Sequence, residues 1–272
     1  MSAVVLTNRL ELSSTAGATA LNAAARFWFV VAVIGQWAFL CYIAAFYGPL
    51  SLSGNFQAWN RNKFLIKGYV PGDTAGNLAF AAHALLAGII AFGGALQLIP
   101  QIRARAMSVH RWNGRLFVVT ALGVSVSGLY MVWVRGATQS MLSAVGVSLN
   151  AVLMIIFAAL ALRSALTRDI PAHRRWALRT YMVANGQWFI RVGLVAWMIL
   201  NHGHDQGFFS FWTFGCYLLP LAVLELYLRA KERGGPEERF AVAGGLIVLT
   251  VLMGVGIFGF TMFMWQKVLM GL

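Results

Sequence analysis

Acidic residues are scarce in this 272-residue chain: Asp and Glu together number 8, against 21 Lys and Arg. Charge of either sign makes up only 11% of residues, while apolar types make up 60%. A soluble domain carries about 25% charged and about 45–50% apolar residues. So little charge cannot cover so much apolar surface in water, and a water-soluble globule is excluded. A polytopic membrane protein is the class that remains. Cysteine is scarcer still. Cys41 and Cys216 both lie in apolar runs, which excludes a disulfide framework and a thiolate metal site. A phosphate-cradling glycine loop, zinc-ligand spacing and a credibly placed Ser/His/Asp set are also lacking. The 11 methionines are scattered through apolar runs, as packing residues rather than copper ligands.

Long apolar runs are what the chain has in abundance. A spanning helix needs about 20 mainly apolar residues. Seven runs qualify, at roughly 27–47, 78–100, 116–135, 141–162, 177–201, 209–229 and 240–265. The expected fold is all-α: a polytopic integral membrane protein with seven transmembrane helices and a four-helix core of two repeated hairpins. The chain divides into an N-terminal segment 1–26, a first span 27–47, a long connection 48–77, the core 78–201 and a final region 202–272 with two more spans. The N-terminal segment is mixed and polar, and the run after it is too long for a cleaved signal segment. The long connection contains Trp59, Phe64 and Tyr69, and reads either as a lid or as an ordinary ordered loop. The last run holds Gly244, Gly245, Gly254, Gly256 and Gly259, which suits close packing in lipid.

The surplus of +13 would suggest nucleic acid on a soluble protein. Here it reports orientation, and no nucleic-acid partner is expected. Arg103, Arg105, Arg111 and Arg115 crowd one connection. Arg163, Arg168, Arg174, Arg175 and Arg179 crowd the next but one, against Asp169. Arg229, Lys231, Arg233 and Arg239 crowd a third, against three glutamates. The alternate connections are poorer in basic residues. The positive-inside rule therefore puts the N-terminus in the cytoplasm and the C-terminus outside a cell inner membrane.

A repeat stands out at two of these basic connections. His110-Arg111-Trp112-Asn113-Gly114-Arg115-Leu116-Phe117 opens the third run, and His173-Arg174-Arg175-Trp176-Ala177-Leu178-Arg179-Thr180-Tyr181 opens the fifth. With one inserted residue both read His-Arg-(x)-Trp-x-x-Arg-x-aromatic. The second-to-third and fourth-to-fifth spans are thus two copies of one hairpin, related by a parallel repeat. His83, these two segments and Arg191 resemble the bacterial membrane-protein family catalogued as domain of unknown function 2306. The resemblance runs from about His83 to Arg191, and it implies a multi-pass membrane domain without supplying an activity.

Two polar sets are candidates for function. At the cytoplasmic end, His110 and His173 sit at similar depth on two spans. Facing histidines of this kind can ligate a b-type haem axially, with Arg111, Arg115, Arg174, Arg175 and Arg179 on its propionates. Alternatively the arginines, with Trp112 and Trp176 beside them, form a site for an anionic lipid head group, a quinone or a small solute, and Glu225 is an internal partner for one of them. Topology and anchoring alone are the third reading. The second set lies within the apolar runs. Arg191 is about 10 residues before the end of its run, roughly 15 Å deep. His83, Asn150 and Gln187 fall at comparable depth, and ionisable groups there mark function by default. The four are expected to form one layer, either a ligand pocket or a structural polar network. A redox protein and a purely structural subunit of a membrane complex stay open as alternatives.

Overall fold

The computed structural model describes residues 2–62, 67–204 and 207–269, with the side chains of 2–12 and 267–269 left out. Lys63 and Phe64 of the long connection lie outside the described residues. The described chain is helical almost throughout: α1 (Ser2–Leu52), α2 (Thr74–Leu98), α3 (Pro100–Arg105), α4 (Met107–Trp133), α5 (Met141–Leu166), α6 (Ile170–Ala184), α7 (Gly186–Leu200), α8 (Phe208–Arg233) and α9 (Pro236–Leu269). No strand occurs among the described residues. Six of these helices are long and apolar enough to cross a membrane, and α6 and α7 together make a seventh.

That seventh crossing is not the straight span the hydropathy suggests. The run at 177–201 is broken at Asn185 and bent by 51°. Asn185 caps both halves. Its side-chain amide donates to the Tyr181 carbonyl at 2.8 Å, and its carbonyl accepts from the Trp188 and Phe189 amides. Asn150 of α5 donates to the Val183 carbonyl at 3.2 Å. Carbonyls freed by the bend are thus satisfied by amide side chains, as an apolar medium requires. Despite the bend, the pair carries the chain from one end of the bundle to the other. Gly17 of α1 faces Pro236 of α9, Gly35 faces Ile257, and Phe39 meets Phe260. So α1 and α9 run parallel, which an even number of crossings between their starts demands.

The two hairpins form as the repeat implies. In the first, α2 and α4 run antiparallel, with Gln97 donating to the His110 carbonyl at 2.9 Å and Asn113 donating to the Gly93 carbonyl at 2.8 Å. In the second, His173 Nδ1 donates to the Ala161 carbonyl at 2.9 Å, and Trp176 lies against Phe157. The copies meet at Gly94 on α2. A Cβ there would lie 3.0 Å from Phe117 and 3.2 Å from Tyr181, the matched aromatic residues of the two copies. Around this centre α8 and α9 close on the α6–α7 side, and α1 packs against α9 and α2. The core is therefore not four helices alone. Trp188, Phe189 and Val192 of α7 are buried with Ala32 of α1, Tyr217 of α8 and Met253 of α9.

Several helix bounds differ from the apolar runs. The first span is the middle of a helix that reaches back through the supposed N-terminal segment, where Leu21 and Ala24 pack on Ala230, Ala243 and Leu246. The third begins at Met107, so His110 lies inside α4 rather than before it. Of the five glycines in α9, Gly256 and Gly259 admit α7 closely, the former against the Val192 carbonyl. Gly244, Gly245 and Gly254 face open space. The long connection has a 3-10 turn at Phe56–Arg61 whose Trp59 is buried against Phe80.

Candidate functional site

The basic end carries the repeat. In each copy the arginine three residues after the tryptophan stacks on its ring, Arg115 on Trp112 at 5.0 Å and Arg179 on Trp176 at 4.6 Å. Helical i, i+3 spacing makes this contact in both. The matched histidines approach closely enough for His173 to act electrostatically on His110. His110 Nδ1 is buried and has no hydrogen-bond partner among the described residues.

The charge environment of the copies then diverges. Arg179 forms a two-pronged pair with Glu225, Nε–Oε1 2.7 Å and Nη2–Oε2 2.9 Å. Arg175 pairs with Glu232 at 2.7 Å. Both carboxylates come from the last turns of α8. Glu225 is thus the internal partner its position suggested, and Glu232 is a second that sequence reading missed. Among the described residues no carboxylate pairs with Arg103, Arg105, Arg111, Arg115 or Arg174, all of which are exposed.

Deeper in the span, the expected layer separates into two interfaces. His83 Nδ1 lies 3.1 Å from Ser127 Oγ of α4, whose own proton goes to the Gly123 carbonyl at 2.7 Å. It is within electrostatic reach of Arg191. Arg191 donates to the backbone carbonyl of Gln187, one turn earlier, and its guanidinium lies 5.5 Å over the Phe39 ring of α1. Asn150 does not join them. It faces the α6–α7 bend, where a Cβ on Gly186 would meet its amide nitrogen at 2.2 Å. Its partner is a released carbonyl, and depth along a helix does not reveal which face a residue takes.

Other neighbours of Arg191 were not expected. Tyr42 and Tyr47 of α1 lie within electrostatic reach of the guanidinium, and Asn62 of the long connection donates to both hydroxyls, at 3.3 and 3.1 Å. Cys216 of α8 is also close, buried and unbridged, while Cys41 is exposed. Tyrosines in an apolar run read as apolar residues, so no sequence signal marks Tyr42 and Tyr47. Among the described residues Arg191 has no carboxylate partner.

Another arginine, Arg135, is buried at the end of the third apolar run. It is 7% exposed, with Nε 3.0 Å from Asp73, Nη1 donating to the Gly76 carbonyl and Nη2 to Asn77. Lys67 in turn donates to the Arg135 carbonyl at 2.9 Å. Lys67, Asp73, Arg135 and Tyr130 line a cavity of about 280 Å³. Every charged group in it is engaged by the protein, so it clips the long connection to the end of α4. No group of three or more metal-ligating side chains occurs among the described residues.

Two hairpins in parallel repeat, one with a bent outgoing helix, define a multi-pass α-helical membrane protein. The chain matches the family described as predicted membrane protein (DUF2306) over residues 80–228, more than half its length, and it belongs to that family. The match extends beyond the two hairpins into α8, the helix that supplies Glu225. Neither the curated proteins nor the solved structures give a match to this chain.

Proposed function

We propose that the protein sits in the cell inner membrane with its basic end in the cytoplasm, and binds a small anionic or carbonyl-bearing amphipathic ligand in the repeat core. Arg191 is the recognising charge. The observation that carries this reading is a half-buried guanidinium inside a span with no carboxylate partner among the described residues. An arginine at mid-span costs about 2.5–3.5 kcal/mol on insertion scales. A backbone carbonyl and the Phe39 ring offset only part of that. A lipid head group, a quinone or a solute carboxylate completes the coordination, with Tyr47 and His83 as neutral hydrogen-bonding neighbours. The test is thermal unfolding of detergent-purified protein with a short-chain quinone, a fatty acid and phosphatidylglycerol. One of these is expected to raise the wild-type midpoint and to have no effect on Arg191→Gln. A response that survives in Arg191→Gln ends this reading. If no probe moves the wild type, the third possibility gains: a structural subunit held by its polar network.

One arrangement favours a second reading, a b-type haem or quinone-linked redox protein. His173 Nδ1 is anchored on the Ala161 carbonyl, which makes Nε2 the nitrogen for a metal, as in metal-binding histidines. His110 offers a buried nitrogen, unpartnered among the described residues, within electrostatic reach of it. Protein purified from haem-replete cells would then show a Soret band that disappears in His110→Ala and in His173→Ala. A colourless preparation excludes the haem.

A further inference from the structure

The two copies of the repeat differ in one respect that the ligand site at Arg191 does not use. In the second copy Glu232 and Glu225 hold Arg175 and Arg179, whereas no arginine of the first copy has a carboxylate partner among the described residues. We propose that the first copy is a docking surface for the phosphate of an anionic phospholipid of the surrounding bilayer, held by Arg103, Arg111 and Arg115.

Charge complementarity identifies the occupant. These guanidinium groups are exposed on adjoining α3 and α4, and no acid faces them among the described residues. Arg103 and Arg111 both reach His110 electrostatically, and its buried Nδ1 has no partner among the described residues. A phosphodiester between them accepts from forked guanidinium donors. The apolar flank distinguishes a lipid from a free anion. Trp112, at 69% exposure, and Leu116, at 50%, lie along the same helix beside Arg115. A cationic ledge above an outward apolar stripe matches a head group with its acyl chains running down α4. On the second copy Trp176 is covered by Phe157 and Arg179 is held by Glu225, so that ledge is closed.

The experiment measures lipid retained after detergent washing of the full chain, loaded with phosphatidylglycerol, with phosphatidylcholine, or with inorganic phosphate as a competitor. Wild type is expected to keep phosphatidylglycerol preferentially. Each arginine near the surface contributes about a fivefold preference. The variant with Arg103, Arg111 and Arg115 all changed to Gln should therefore lose about a hundredfold. Raising salt should weaken the wild-type preference in step, which reads the same charges without a mutation. Equal retention of both lipids by wild type overturns the proposal. So does an unchanged preference in the triple variant. Displacement of the lipid by inorganic phosphate at low millimolar concentration would show a soluble-anion site instead, and would also overturn it. None of these residues touches Arg191, so failure here leaves the core ligand reading standing, and the reverse also holds.

Discussion

The same motif in two hairpins has two different fates. Both copies build a Trp–Arg stack at the start of their outgoing helix, and both send an aromatic residue to Gly94. From there they part. The outgoing half of the second copy, α6 and α7, lies in the middle of the molecule. Tyr181 through Val183 and Trp188 through Ile190 are buried, and α1 and α8 supply it with polar partners. The first copy lies on the rim, with Trp112, Leu116, Val119, Val126 and Trp133 all exposed along α4. The matched aromatic pair shows the consequence. Phe117 needs nothing, but Tyr181 exchanges two hydrogen bonds with Gln36, which has no exposure at all. What the comparison teaches is that the repeat fixes the backbone frame, and the helices outside it decide which copy is scaffold and which is surface.

The largest effect should come from the point where both copies meet. Gly94→Val places its branched carbons against Phe117 and Tyr181 at once, and neither ring can move without displacing its own helix. Overpacking of this kind costs about 1–3 kcal/mol, and the shared contact puts this one near the top of that range. The unfolding midpoint in detergent should fall further than for any single change within one copy. A midpoint equal to wild type would mean that the copies do not close on each other here. The next effect belongs to the scaffold copy. Tyr181→Phe makes it chemically like the first, and strands the Gln36 amide in a dry interior at about 1–3 kcal/mol. Adding Gln36→Met removes the stranded group and should recover most of the loss. A double variant no more stable than Tyr181→Phe would sink this account of the pair.

Much of this architecture can be read without coordinates, because spanning segments are a bulk property. About 20 apolar residues in a row survive any error in local detail, and the paired His-Trp-Arg order survives in two places. Helix ends do not read as well. Basic residues before the third run and around the N-terminal segment continue a helix past the lipid core, where hydropathy carries no signal. The bend at Asn185 is hidden for another reason. Apolar residues continue across it, and the amide that stabilises it, Asn150, comes from another helix. The same residue shows why the layer at Arg191 was only half legible. Rise per residue gives depth, but azimuth depends on packing. The first span was set aside from the core, yet it brings Phe39, Tyr42 and Tyr47 to the arginine.

The smallest expected effect on stability is the sharpest test of the comparison. Glu225 and Glu232 are the groups that make the second copy unlike the first at its basic end. Both are substantially exposed, and exposed pairs are worth about 0–1 kcal/mol. Changing both to Gln should therefore barely move the unfolding midpoint, and added salt should narrow even that difference. The functional consequence runs the other way. Arg175 and Arg179 would be released without disturbing the Trp176 stack, which turns the scaffold copy into a second basic ledge. Phosphatidylglycerol retention should rise above wild type, at about fivefold for each charge freed. If retention stays at the wild-type level while both arginines are unpaired, free charge is not what separates the copies. Burial of Trp176 against Phe157 would then be the governing difference, and Phe157→Ala in the same background should open the site.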